Sequence, residues 1–237
     1  MKCIKAAQAL VLLLGLFLYA AIYAQTSILF VGNSYTYYNE MPDMVNRLAE
    51  ANGQDCEITT SVNGGVSLKD HWEQNSNLKS KRMIEEGAFD VVILQDQSMT
   101  PIRQPNKTLT FGKKLAGLAE EAGGQVLVFQ TWSRKNNPDS QVQLDDTFSK
   151  FVATTRAKIA PVADAWHLAM KEYPNLELYA YDGSHPSEIG SYLTALIMYR
   201  VLFEKQSSGA YKTFASKRLP ISEIKKCEKI ADQVMNR

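Results

Sequence analysis

Two short segments carry side chains whose types and spacing suit covalent chemistry. Residues 27–34 read Ser-Ile-Leu-Phe-Val-Gly-Asn-Ser, an apolar run that ends in a turn and delivers Ser34. Residues 182–187 read Asp-Gly-Ser-His-Pro-Ser and set a carboxylate three positions before an imidazole. A serine hydroxyl is a weak nucleophile until a base takes its proton, and the base works best when a carboxylate holds its ring. Ser34, His185 and Asp182 fill those roles, so acyl transfer through an activated serine is the leading reading. Each segment alone has a plainer explanation. Gly-Asn-Ser is an ordinary turn, and Asp182 and His185 can simply satisfy the backbone donors of a helix cap.

The two segments meet only if the fold brings them together. Apolar runs of strand length stand at residues 28–31, 58–62, 91–94, 126–130 and 159–162. Periodic helical stretches follow at 42–52, 106–122, 141–158 and 187–203, with a last helix at 221–236 after a Lys-, Gln- and Ser-rich loop at 205–219. Strands alternating with helices predict a three-layer α/β/α sandwich around a five-stranded parallel sheet. The third and fourth strand runs are almost wholly apolar, as strands covered on both faces must be. Ligands of such sheets sit beyond the carboxyl ends of the strands. Each strand here ends in something useful: Gly32-Asn33-Ser34, Asn63-Gly64-Gly65, Gln95-Asp96-Gln97-Ser98 and Thr131-Trp132-Ser133-Arg134. After the fifth strand, Asp164-Ala165-Trp166 and then the 182–185 loop are expected on the same edge.

Several of these residues have candidate roles. The Gly64-Gly65 pair lets a backbone N–H approach a developing oxyanion, and Gln95 or Gln97 offers a side-chain amide to the same oxygen. His185 is expected at the N-cap of the next helix, with Pro186 as its first helical residue. Trp132 and Trp166 follow strands and are candidates to line the mouth and stack on a sugar ring. His71, on a short helical stretch, is either a ligand contact or a packed cap. Nucleotide sites are disfavoured, since neither G-x-G-x-x-G nor a Gly-Lys-Ser/Thr loop occurs, and the G-x-S-x-G nucleophile elbow is missing too. His71, His167 and His185 are far apart, so no metal site is expected.

Residues 1–24 read as a secretory leader: Lys2 and Lys5, then an apolar stretch, then Tyr-Ala before Gln25. An uncleaved anchor is the alternative. The expected mature chain is therefore one domain over 25–237, exported to a periplasm or the outside of the cell, with no stable membrane span after cleavage. The whole chain carries a net charge of +1, and losing the two leader lysines takes it to −1. Such a balance leaves no footprint for nucleic acid. Two cysteines remain, Cys56 and Cys227, for which a disulfide and two buried thiols are both open readings. The oligomeric state is not encoded in any of these patterns.

With these residues in view, the chain resembles the SGNH/GDSL hydrolase superfamily. Gly32-Asn33-Ser34 matches the family's Gly-Asp-Ser nucleophile motif with Asn33 in place of the aspartate, and Asp182 and His185 match its Asp-x-x-His motif. Gly65 (or Gly64) stands where the family's oxyanion glycine is expected. The family's Gly-x-Asn-Asp motif has no counterpart; the corresponding loop reads Leu94-Gln95-Asp96-Gln97-Ser98, as in a divergent branch of secreted bacterial SGNH-type proteins. The resemblance implies a flavodoxin-like fold and a serine esterase that needs no cofactor. Its oxyanion hole would be the Ser34 and Gly65 amides with Gln95 first, or Gln97 second, as side-chain donor. Export and the two tryptophans expected near the mouth, Trp132 and Trp166, point to an acylated or acetylated carbohydrate as substrate. The alternatives are a lipid ester or thioester hydrolase, and a carbohydrate-binding protein that keeps the fold without the chemistry.

Overall fold

A computed structural model describes residues 25–206, 211–215 and 219–236. The expected leader, residues 1–24, lies outside the described residues. The chain runs β1 (Thr26–Gly32), α1 (Ser34–Tyr37), α2 (Met41–Ala51), β2 (Cys56–Val62), α3 (Leu68–Glu73) and α4 (Ser80–Glu86). It continues with β3 (Val91–Leu94), α5 (Thr100–Arg103), α6 (Pro105–Glu121), β4 (Gln125–Phe129), α7 (Gln141–Val152) and β5 (Lys158–Ala160). The last elements are α8 (Val162–Glu172), α9 (Glu188–Phe203), α10 (Tyr211–Phe214) and α11 (Ile221–Met235). All five strands are parallel, in the order β2-β1-β3-β4-β5. The result is the flavodoxin-like α/β/α sandwich.

Alternation along the strands builds two cores. Ile28 and Phe30 of β1, with Ile93 of β3 and Phe129 of β4, face the layer of α2, α8, α9 and α11. Leu29, Val31, Val92, Leu94 and Val128 face the opposite layer of α3, α4, α6 and α7. Successive strand residues point to opposite faces, so a strand covered twice must be apolar at every position. Burying each of these side chains contributes about 1.5–3 kcal/mol. Helix α9 lies deep in the first layer and is apolar on every side; its buried Arg200 is held by Asp232 at 2.6 Å. Cys56 and Cys227 are both buried free thiols, and burial pushes the Cys56 thiol up to about 11.

The order of strands changes direction at β1, whose neighbours β2 and β3 are reached by connections leading opposite ways. That is where an open parallel sheet leaves a crevice at its carboxyl edge. Gly32 ends β1 there, packed so tightly that a Cβ would come within 2.3 Å of Thr36 Oγ1 and 2.6 Å of Gln95 Oε1.

Three expectations need correcting. The fifth strand is Lys158–Ala160 rather than 159–162, because Pro161 ends it. Trp166, expected with Asp164 and Ala165 at the carboxyl edge, lies within α8, where Val162, Ala165, Trp166 and Ala169 form the buried stripe that turns it into the core. Helix α7 stops at Val152, short of the expected 158, since the chain must turn back to enter β5.

Candidate active site

Residue by residue, the carboxyl edge assembles around Ser34. Asn33 is the N-cap of α1: its extended backbone turns the chain, and its side-chain oxygen accepts from the Tyr35 amide at 3.1 Å. Its amide nitrogen donates to the Val66 carbonyl at 2.9 Å, and its own N–H donates to Gln95 Oε1 at 2.8 Å. One buried residue, through its side chain and its backbone N–H, thus ties the β1, β2 and β3 loops together. An aspartate here would have no proton for the Val66 carbonyl, which gives the asparagine a physical reason. Ser34 follows at the first position of the helix, with Oγ 2.8 Å from His185 Nε2.

His185 is held from several directions. Its Nδ1 lies 2.5 Å from Asp182 Oδ2, and the other carboxylate oxygen accepts from the Ser184 and His185 amides at 3.0 and 2.9 Å. A carboxylate at Nδ1 makes that nitrogen the donor, which leaves Nε2 free to accept the Ser34 proton. Partial desolvation works to raise the Asp182 carboxyl. The hydrogen bonds from the His185 ring and the two amides, with the attraction of a charged ring, outweigh it and hold the group below the usual carboxylate range. Tyr38 stacks on the imidazole at a centroid distance of 4.7 Å, and Tyr35 meets it edge-on at 5.4 Å. The Ser184 carbonyl accepts from Trp132 Nε1 at 3.0 Å, and Ser184 Oγ contacts the Tyr35 hydroxyl at 2.6 Å.

The helix following His185 does not begin where the sequence suggests. Pro186 pairs as an isolated bridge with Tyr179, and Ser187 is the N-cap of α9, accepting from the Gly190 amide at 3.1 Å. His185 is therefore fixed by its own loop rather than by a helix cap.

A shallow cavity of about 200 Å³ opens beside Ser34, lined by Gly65, Gln97, Ser98, Arg134, Ser184 and His185 among others. Gly65 adopts a φ of +70°, the left-handed backbone that glycine tolerates best. The Ser34 and Gly65 amides have no backbone or side-chain acceptor among the described residues. Gln97 Oε1 accepts from the Met99 and Thr100 amides at 2.7 and 3.1 Å, and no acceptor engages its NH₂ group among the described residues. Asp96 holds Gln97 in place: it is buried, its Oδ1 accepts from the Leu68 and Gln97 amides, and its Oδ2 accepts from Thr108. Burial pushes the Asp96 carboxyl up in spite of those bonds.

Other candidates are placed elsewhere. Gln95 is fully buried; its Oε1 accepts from Asn33 N and Thr36 Oγ1, and its Nε2 donates to the Asp96 carbonyl. It braces the nucleophile turn, and of the two glutamines only Gln97 lines the cavity. Trp132 and Trp166 are buried and stacked on each other at 3.7 Å, beneath Tyr35. They support the His185 loop and present no face to a ligand. His71 is wholly buried, with Nε2 3.0 Å from the Gly32 carbonyl and Nδ1 2.5 Å from Ser80 Oγ. Gly64 is exposed beside the cavity but does not line it. The sequence assigned no role to Asn33, Tyr38, Asp96, Ser98 or Arg134; all but Tyr38 stand in segments singled out for their place at a strand end. Among the described residues, no group of three or more His, Cys, Asp or Glu side chains is arranged to hold a metal ion. No helix there is long and apolar enough to cross a membrane.

No family model matches the sequence, and no curated protein does. Solved structures do. A protein from Slackia heliotrinireducens assigned to the SGNH hydrolases is 28% identical, with a TM-score of 0.67, over 76% of this chain and 100% of that one. A DUF4886 family protein from Bacteroides uniformis is 17% identical, with a TM-score of 0.77, over 90% of this chain and 95% of that one. A family 3 carbohydrate esterase from Clostridium thermocellum is 16% identical, with a TM-score of 0.56, over 75% and 94%.

Proposed function

We propose that this chain, which belongs to the SGNH/GDSL hydrolase superfamily and is an ester-hydrolysing enzyme, works through Ser34, His185 and Asp182 on a small acyl ester of a carbohydrate. The observation that carries the reading is the unbroken relay from Ser34 Oγ to His185 Nε2 at 2.8 Å and from His185 Nδ1 to Asp182 at 2.5 Å. Ser34 Oγ attacks the ester carbonyl carbon as its proton passes to His185 Nε2. The Asp182 carboxylate stabilises the imidazolium that forms. The oxygen of the tetrahedral intermediate lies in the hole made by the Ser34 and Gly65 amides and the Gln97 NH₂ group. His185 returns the proton to the leaving alcohol. A water molecule, deprotonated by the same ring, then cleaves the acyl-enzyme and restores Ser34.

The cavity lining supports a small acyl group. It contains polar side chains, a glycine and the edge of Tyr35, but no aliphatic side chain that a fatty acyl chain would need. Fully exposed Tyr181, next to Asp182 in the chain, and half-exposed Tyr37, three residues after Ser34, are aromatic side chains available to a sugar ring. Residues 1–24 as a cleaved leader would deliver the enzyme outside the cytoplasm, where such polymers lie. The test is hydrolysis of p-nitrophenyl esters of increasing acyl length, followed by acetylated oligosaccharides. Acetate is expected to be the best acyl group, and octanoate at least tenfold worse in kcat/KM, the discrimination open to a site without an apolar groove. A preference for octanoate would favour a lipid hydrolase instead.

A further inference from the structure

Arg134 lines the same cavity as Ser34 and His185, on the loop that follows β4. Its surroundings leave its charge uncompensated. Among the described residues no carboxylate lies within 4 Å of its guanidinium. Its Nη2 makes one long contact, 3.4 Å to Ser98 Oγ, and its Nε is shut off from solvent with no acceptor. No acid among the described residues lines the cavity, and the two that brace its lining residues are committed elsewhere: Asp182 to the His185 ring and two amides, Asp96 to Leu68, Gln97 and Thr108. The neighbouring Lys135 is already paired with Glu177 at 2.8 Å. A partly desolvated cation without a counter-ion is costly, and that cost is relieved when a ligand brings the anion.

We propose that Arg134 is a specificity residue that binds a carboxylate of the substrate, so that the preferred ester is an acylated acidic sugar. This rests on the esterase reading of the cavity and names its substrate class. The planar guanidinium matches a carboxylate through paired N–H donors, a geometry a lysine cannot supply. With Ser34 and His185 on the same small cavity, a carboxylate on Arg134 and the scissile carbonyl on Ser34 must belong to one sugar or to adjacent groups on it. The negative charge sits on the substrate, so the preference appears chiefly in KM.

The experiment compares an O-acetylated methyl galacturonoside with its methyl ester, two substrates that differ by one negative charge. The ratio of their kcat/KM values is expected to favour the acid by about tenfold or more, the scale of a charge-assisted hydrogen bond. It should collapse to near one in Arg134→Gln and recover partly in Arg134→Lys. A ratio near one in the unaltered protein overturns the proposal. So does Arg134→Gln slowing both substrates in parallel, which would mean that the arginine serves the oxyanion or the loop. Should neither sugar be hydrolysed, calorimetric titration of Ser34→Ala with the two compounds separates failure of the esterase reading from failure of this one. Tighter binding of the acid that is lost in Ser34→Ala/Arg134→Gln supports the proposal, while equal or absent binding overturns it.

Discussion

The molecule contains two serine–histidine pairs on either side of the β1 end, and they are built for opposite purposes. At His185 the carboxylate of Asp182 occupies Nδ1 and Nε2 faces Ser34 in an open cavity. At His71 the Gly32 carbonyl faces Nε2, so that nitrogen must donate, and Nδ1 accepts from Ser80, whose oxygen also contacts Ser61 at 2.7 Å. Among the described residues no carboxylate touches the His71 ring, and the residue is wholly buried. Burial lowers its pKa to about 4, with the backbone bond and Asp70 offsetting only part of the effect. That ring stays neutral at physiological pH and acts as a strut between the β1 end and α4. A hydroxyl beside an imidazole is therefore no sign of catalysis. What separates the two pairs is the third group that orients the ring and the access a substrate has to the hydroxyl.

The comparison can be broken most severely at Asp182. Asp182→Asn replaces the acceptor at Nδ1 with a group able to donate, which favours the wrong ring tautomer. Ester hydrolysis is expected to fall by about 10³–10⁴-fold with the fold intact. Removing Ser80 as Ser80→Ala should instead leave the rate within a few-fold and lower only the melting temperature. A comparable collapse in Ser80→Ala, or none in Asp182→Asn, would erase the distinction.

A smaller effect separates the two glutamines. Gln97→Ala removes the side-chain donor to the oxyanion and should lower kcat by about 10²–10³-fold with little change in stability. Gln95→Ala leaves the Asn33 N–H and the Thr36 hydroxyl without their buried acceptor, at a cost of about 1–3 kcal/mol in unfolding free energy. Kinetics and chemical denaturation on both variants would reveal an exchange of these roles.

The smallest effect is in the pH dependence of stability. Folded His71 resists its proton until about pH 4, whereas the unfolded ring takes it near 6.5. Between those values the unfolded state binds more protons. The His71 contribution is therefore complete above pH 6.5 and is lost as pH falls towards 4, by on the order of 3 kcal/mol. Denaturation from pH 7 to 4 should show a steeper loss for the unaltered protein than for His71→Asn. Parallel curves would mean that His71 is charged or exposed.

What was legible in the sequence was whatever depends on local order. The Asp182-x-x-His185 spacing alone lets the carboxylate reach the ring, and the apolar run before Gly32 marks Ser34 as lying just past a strand end. The sheet followed from strand-length apolar runs alternating with helices. What the sequence hid depends on side-chain direction after a strand ends. Gln95 and Gln97 are two residues apart, yet the chain turns between them, and only the contacts of Asn33 and Asp96 decide which one faces the cavity. Trp132 and Trp166 stand near strand ends but turn into the core. For Trp166 a signal was present: the apolar residues at 162, 165, 166 and 169 follow the spacing of a buried helix face. Arg134 stood within a segment singled out for its position, but its lack of an ionic partner is visible only in three dimensions.

The most direct test of the Ser34 relay is covalent labelling with a fluorophosphonate, followed by mapping of the modified peptide by mass spectrometry. A single adduct on Ser34, lost in His185→Ala and absent from Ser80, is the predicted result. An adduct elsewhere, or equal labelling of Ser34 without His185, would contradict a nucleophile activated by this histidine.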